Sequence, residues 1–193
     1  MNYFIPSSIS ISKRIYSFFH QNKFNKTLVI FSQSAKKNGS LDRALKYLKS
    51  KNINYHEYKK EESIKYQIDK IINLKCDFDS IVSIGGGSVI DFSKILKYFL
   101  YKKKIDNDFL NQEQYSFQYL GKNKIQLIVI VTLFGSGSES SNVSVINSDN
   151  KKFFYISNDF IPNHVIYDHR AQSQIPFKVA SKHIIDSFTH AVE

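Results

Sequence analysis

The sequence has little that could staple or anchor it. One cysteine, Cys76, occurs in 193 residues, so no intrachain disulfide can form. That fits a reducing compartment, and a cytoplasmic location is expected. No stretch approaches the roughly 18 apolar residues that span a bilayer. The opening MNYFIPSSISISKRIYSFFH lacks a basic start followed by an apolar run, so no signal peptide is read there. Internal repeats and low-complexity linkers are absent. Acidic residues are scarce: 17 Asp and Glu face 27 Lys and Arg, for a formal charge of +10. Such an excess can mark a nucleic-acid binder. Here the lysines are scattered among abundant Ile, Asn, Ser, Tyr and Phe, as A/T-rich codon bias would produce. Arginine-rich helices and aromatic RNA-binding strands are missing. Neither nucleic acid nor a membrane is therefore expected as a partner.

What is present suffices for a folded core. Hydrophobic residues make up 42% and aromatics 15%, too much for disorder, and the length allows one domain and the start of another. TLVIF (27–31), NINYHEY and DSIVSI read as strands. Between them, SLDRALKYLKSK and EESIKYQIDKIINLK read as helices. Leu41, Ala44, Leu45 and Leu48 share one face of the first, and Ile64, Ile68, Ile71 and Ile72 one face of the second. Ser40 is the expected cap of the first. The alternation implies a parallel sheet with helices on both faces, an α/β Rossmann-like fold. Residues 104–124 are polar and without period, and read as a loop excursion. IQLIVIV (125–131) is a buried strand. NVSVI and KFFYI form a hairpin, HVIYD a last strand, and a helix runs from Phe177 onward.

Two turns carry the chemistry. SIGGGSVIDFSK joins a strand to a helix, with Ser88 as expected N-cap and Asp91 closing a reciprocal cap. Glycines let the backbone approach a ligand, and the helix start offers free N–H groups that bind phosphate. It is not a P-loop, since no lysine follows the glycines, and Ile90 stands where the dinucleotide fingerprint needs its third glycine. On the residues alone, a turn that merely connects two elements remains the alternative. TLFGSGSES is a second glycine-rich turn at a strand end, where open α/β sheets bind ligands. In HIIDSFTHAVE, Asp186 and His190 are four residues apart, hence stacked on one helix face. They are half of a divalent-metal site, or an ordinary hydrogen-bonded helix pair. His183, His20 and His56 are expected at the surface, and Cys76 in packing.

These motifs, in this order, resemble the iron-containing (group III) alcohol dehydrogenase family. GGGSVIDFSK is similar to the family's GGGSxxDxxK turn, TLFGSGSE to TTAGTGSE, and IPFKVASKHIIDSFTHAVE to LPxxxxAxTGxDALTHAIE. The likeness covers nearly the whole chain. It implies a nucleotide-binding domain over residues 1–175 and, over 176–193, the first helix of an all-helical metal domain. Gly86, Gly87 and Ser88 would hold the pyrophosphate of NAD or NADP. Thr132 and Leu133 would lie near the cofactor, with Ser141 and Lys152 reaching it from the hairpin. Asp186 and His190 would be the first two ligands of Fe²⁺, or of Zn²⁺ as in some members. The implied reaction is hydride transfer between nicotinamide and a small alcohol or aldehyde, by a protein that assembles as a homodimer.

The departures from the family pattern are specific. Ser32 stands where an Asp usually selects NAD, and KKEES occupies the place of an Asn-Pro-Thr turn. Leu133, Phe134, His183 and Ile184 replace smaller family residues. The family's other two ligands, both histidines, would fall beyond Glu193, so the chain is expected to be an N-terminal portion, inactive alone. Two other readings stay open. One is a nucleotide-binding remnant without catalysis. The other is a glycerol dehydrogenase or dehydroquinate-synthase-like member of the same superfamily, which Ser88 and the THAVE ending disfavour.

Overall fold

The computed structural model describes residues 8–12, 24–51, 53–59, 64–104, 112–121, 125–148 and 151–192. The expected surface position of His20, and the side chain of His56, lie outside what is described. In chain order the elements are β1 (Ser8–Ser12), β2 (Lys26–Phe31), α1 (Gln33–Lys37), α2 (Ser40–Ser50), β3 (Asn54–Lys59), α3 (Ile64–Ile72), β4 (Ser80–Gly85) and α4 (Gly87–Lys102). They continue with β5 (Gln114–Ser116), β6 (Gln126–Val131), β7 (Val143–Ser148), β8 (Lys151–Ile156), β9 (His164–Asp168), α5 (His169–Gln172) and α6 (Phe177–Val192).

Six strands form one parallel sheet in the order β1-β9-β6-β4-β2-β3. Both faces are covered, which explains why β4 is buried along its whole length. Alternation along β2 assigns the faces. Leu28 and Ile30 join α3 and α4 residues such as Ile68, Ile71, Phe92 and Ile95 in one core cluster. Val29 and Phe31 join α2 residues Leu41, Ala44 and Leu48 in the other. Helices therefore cover both faces, α2 on one and α3 and α4 on the other, as the alternation of strands and helices predicts.

The expected loop over 104–124 is corrected in part: it contains β5, which pairs parallel with β8. With the β7–β8 hairpin it forms a second, three-stranded sheet. Tyr115 and Phe117 meet edge to face, and Phe117 stacks tilted against Tyr98 of α4, at 4.8 and 4.6 Å between ring centroids. Those aromatics, rather than periodicity, hold the segment down. β1, α1 and α5 had no sequence reading. They are short, and the partner of β1, β9, lies far along the chain.

Ser40 is not the cap expected of it. Gly39, at φ +74°, is the cap, and Ser40 is the first helical residue. The Ser40 hydroxyl donates instead to Asp168 Oδ2 at 2.6 Å, beside Arg43 Nη2 at 2.6 Å. Asp168 ends β9 and also accepts from the N–H groups of Arg170 and Ala171. Burial pushes its carboxyl up, but the bonds from Ser40 and Arg43 outweigh that and hold it below its ordinary value.

Candidate functional site

The strand order reverses between β2 and β4. From β2 the chain steps outward to β3, then returns to β4 on the other side of β2 and proceeds to β6 and β9. The segments leaving β2 and β4 diverge to opposite faces, opening a crevice at their C-terminal ends. Ser32 lines one side of that crevice and Gly85–Ser88 the other. Ser32 N donates to Ile84 O at 3.1 Å, and its Oγ lies 3.3 Å from where a Cβ on Gly85 would stand.

Each glycine of the first turn has its own reason. A Cβ at Gly85 would come within 2.9 Å of Val89 Cγ2, so its absence lets α4 start directly off the strand. At Gly87 a Cβ would stand 2.7 Å from Ser136 Oγ and 2.9 Å from Ser136 Cβ. Gly86 is different. Its backbone is extended (φ −96°, ψ −170°), and a Cβ would meet nothing nearer than Leu133 Cβ at 3.4 Å. A methyl there would pack in ordinary contact with Leu133, so neither packing nor backbone angle within the chain accounts for this glycine. Ser88 is not the N-cap expected of it: Gly86 caps α4, and Ser88 is an exposed residue in the first turn. The N–H groups of Gly87 and Ser88 therefore sit where a helix has no intrahelical acceptor and its dipole is positive.

The second glycine-bearing loop leaves β6 next door. Thr132 is buried, and its N–H donates to Gly85 O at 3.0 Å. Leu133 faces Gly86, and Ser136 faces Gly87. Gly135 (φ +118°) and Gly137 (φ +63°) occupy backbone regions that disfavour side chains. Asp91 does not close a reciprocal cap. Its carboxylate accepts from Ser138 Oγ at 2.5 Å and lies 3.5 Å from Lys94 Nζ. Burial pushes the Asp91 carboxyl up, against the pull of Lys94, Ser138 and the Val145 N–H. Lys94 is fully buried, and desolvation lowers its ammonium to about 8 despite Asp91. It donates to Val143 O at 2.6 Å and to Ser141 Oγ at 3.2 Å. Of the hairpin residues expected at the cofactor, Ser141 is thus tied to α4, and Lys152 is exposed on β8 opposite Asn147.

α6 carries the expected metal ligands. Asp186 is exposed on it; His190 lies one turn further on, with its side chain outside the described residues. Among the described residues no group of three or more His, Cys, Asp or Glu side chains is gathered. His183 is half-buried, correcting its expected exposure. Its ring meets Phe134 edge to face at 6.4 Å, and its carbonyl would lie 2.9 Å from a Cβ on Gly135. Sequence reasoning also missed Tyr167, whose hydroxyl donates to buried Glu139 at 3.1 Å beside the loop. Burial first, then Glu139, pushes Tyr167 up to about 12. The only hint was an apolar strand ending in a polar aromatic.

Comparison with known proteins follows the same lines. Residues 10–169 match the family model described as iron-containing alcohol dehydrogenase. An alcohol dehydrogenase of Thermococcus barophilus is 30% identical over 183 residues, 89% of this chain and 47% of that protein. An iron-containing alcohol dehydrogenase structure from Thermococcus thioreducens superposes with a TM-score of 0.82 at 24% identity, covering 100% of this chain and 53% of the other. A sulfoacetaldehyde reductase from Bifidobacterium kashiwanohense, solved in complex with NAD+, superposes at 0.80 with 19% identity, over 100% of this chain and 52% of the other. The chain spans about half the length of these relatives.

Proposed function

Because the chain belongs to the iron-containing alcohol dehydrogenase family, we propose that it supplies the dinucleotide-binding part of a metal-dependent dehydrogenase that moves hydride between NAD or NADP and a small alcohol or aldehyde. One observation carries this reading. Two glycine-bearing turns from adjacent parallel strands meet beside the sheet's switch point, and neither crowding nor backbone angle accounts for the glycine at Gly86 between them. The NAD+ in the structure of the sulfoacetaldehyde reductase supports the same ligand class.

In this reading the N–H groups of Gly87 and Ser88 and the α4 dipole take the pyrophosphate. Ser32 faces the adenosine ribose. Thr132 and Leu133 line the nicotinamide side, with Ser141 and Lys152 reaching toward it from the hairpin. Residues 1–175 form this binding unit, and 176–193 begin the part that carries the metal. Asp186 and His190, an oxygen and a nitrogen donor four residues apart on α6, suit a first-row divalent ion, Fe²⁺ or Zn²⁺. When bound, such an ion acts as a Lewis acid on the alcohol oxygen. The protein works in the cytoplasm as a homodimer. Two donors on one helix hold an ion weakly, so the 193-residue chain binds nucleotide without useful hydride transfer.

Gly86→Ala tests the placement better than a change at Gly87. A methyl at Gly86 has room against Leu133, whereas one at Gly87 strikes Ser136 whether or not a ligand binds. Calorimetry should show NAD affinity reduced tenfold or more in Gly86→Ala with thermal unfolding unchanged. Equal affinity in variant and parent would remove the pyrophosphate from this turn.

A further inference from the structure

α4 carries more than the first turn. One helical turn beyond Gly87 it presents a buried set of polar groups to the segment 138–144. Ser138 Oγ donates to the Asp91 carboxylate (2.5 Å), and Ser144 Oγ to Asp91 O (2.9 Å). Lys94 Nζ donates to Val143 O (2.6 Å) and Ser141 Oγ (3.2 Å). The helix itself is fixed to the sheet next door, where Ser93 Oγ donates to Ser83 Oγ of β4 at 3.0 Å. The far end of the loop is held on β4 as well, by Thr132 N on Gly85 O. Between these two attachments lie Leu133 and Ser136, the side chains that face Gly86 and Gly87.

We propose that Asp91 and Lys94 are positioning residues: from α4 they fix the second glycine-bearing loop against the first, and so set how tightly the nicotinamide half of a dinucleotide is held. A buried ammonium beside a buried carboxylate is a costly way to fill a core, and replacing such a pair by apolar side chains often leaves stability unharmed or improved. Its distinctive product here is geometry. Both ions spend their bonds on the segment 138–145, and the loop that leads into it lies against the first turn at Gly86 and Gly87. The charged groups facing Lys94 are Asp91 on its own helix and Glu139 on the loop.

The inference rests on the nucleotide reading, and its test separates the two. Lys94→Met keeps the stem and removes the ammonium. Ser144→Ala removes one anchoring bond without leaving a charge unpaired, and carries the test if Lys94→Met does not fold. NAD and ADP are titrated against the 193-residue chain and both variants, because ADP engages the first turn and lacks the nicotinamide half. Hydrogen exchange is followed on residues 133–141 without ligand. The expected result is faster exchange in the loop, unchanged exchange in β4 and β6, NAD affinity down tenfold or more in Lys94→Met and about threefold in Ser144→Ala, and ADP affinity within twofold of the parent. An unchanged NAD-to-ADP ratio, whether neither affinity moves or both fall together, overturns the proposal. If the parent binds neither nucleotide, the nucleotide reading fails, and the loop's exchange still decides whether Asp91 and Lys94 hold it.

Discussion

Ser32 stands at the end of β2 and is already engaged. Its Oγ accepts from Ala35 N at 3.1 Å, capping α1, and shares a hydrogen bond with Ser34 Oγ at 2.8 Å. It offers no carboxylate to repel a 2′-phosphate, and the chain's charge is +10. NADP and NAD should therefore bind the 193-residue chain within about tenfold of each other. Asp caps helices as well as Ser does, so Ser32→Asp should leave the fold intact and weaken NADP tenfold or more while NAD changes little. A parent that already prefers NAD by about a hundredfold would place the selection elsewhere. The misread caps belong to this scale too. Ser40 and Ser88 are good capping residues, but Gly39 and Gly86 take the cap positions. Ser40 was drawn instead to Asp168, 128 residues away, a partner that no local pattern reveals.

Among the elements, α4 bears an unusual load: it buries two lysines. Lys97 Nζ donates to Asn163 Oδ1 at 3.2 Å, and burial lowers its ammonium to about 8 against the pull of Asp159. Lys94 is lowered to about 8 as well. A lysine whose folded value lies below its unfolded one costs stability wherever the folded state must keep the proton. Between about pH 8 and the ordinary lysine value of about 10.4 the unfolded chain holds more protons, so stability rises with pH in that window. Tyr155 and Tyr167, both pushed up to about 12 chiefly by burial, act oppositely above about pH 10, where only the unfolded tyrosines ionise. Urea unfolding should therefore show a midpoint that climbs from pH 8 to pH 10. Lys97→Met should raise stability at pH 7 by about 1–3 kcal/mol and shrink that climb. A variant less stable than the parent at pH 7 would mean that the bond to Asn163 outweighs the cost of burying the charge.

Over the whole molecule, the sheet and its two crevice turns are packed, while α6 leaves Phe177, Ile184, Ile185, Phe188 and Val192 more than half exposed. In the proposed function, nucleotide binding draws on the packed part and metal chemistry on the exposed helix. The 193-residue chain with anaerobic Fe²⁺, or with Zn²⁺, should bind NAD yet form no NADH from a panel of small primary alcohols and diols. Metal-dependent turnover near ~1 s⁻¹, lost in His190→Ala, would refute this and require ligands from a second copy.

By itself the sequence determined the parallel α/β class, because β2, β4 and β6 are short apolar runs and the helices between them keep one apolar face. It also determined where the glycine turn falls, since the three glycines follow an apolar strand and lead into a helix. Tertiary structure alone decided the strand order, and with it the switch point. It brought Ser136 onto Gly87 and Leu133 onto Gly86, turned Asp91 from its own helix cap toward Ser138, and gave β5 its partner β8. Local periodicity reports which face of an element is buried. Which distant residue meets that face depends on how all the elements fill one core together.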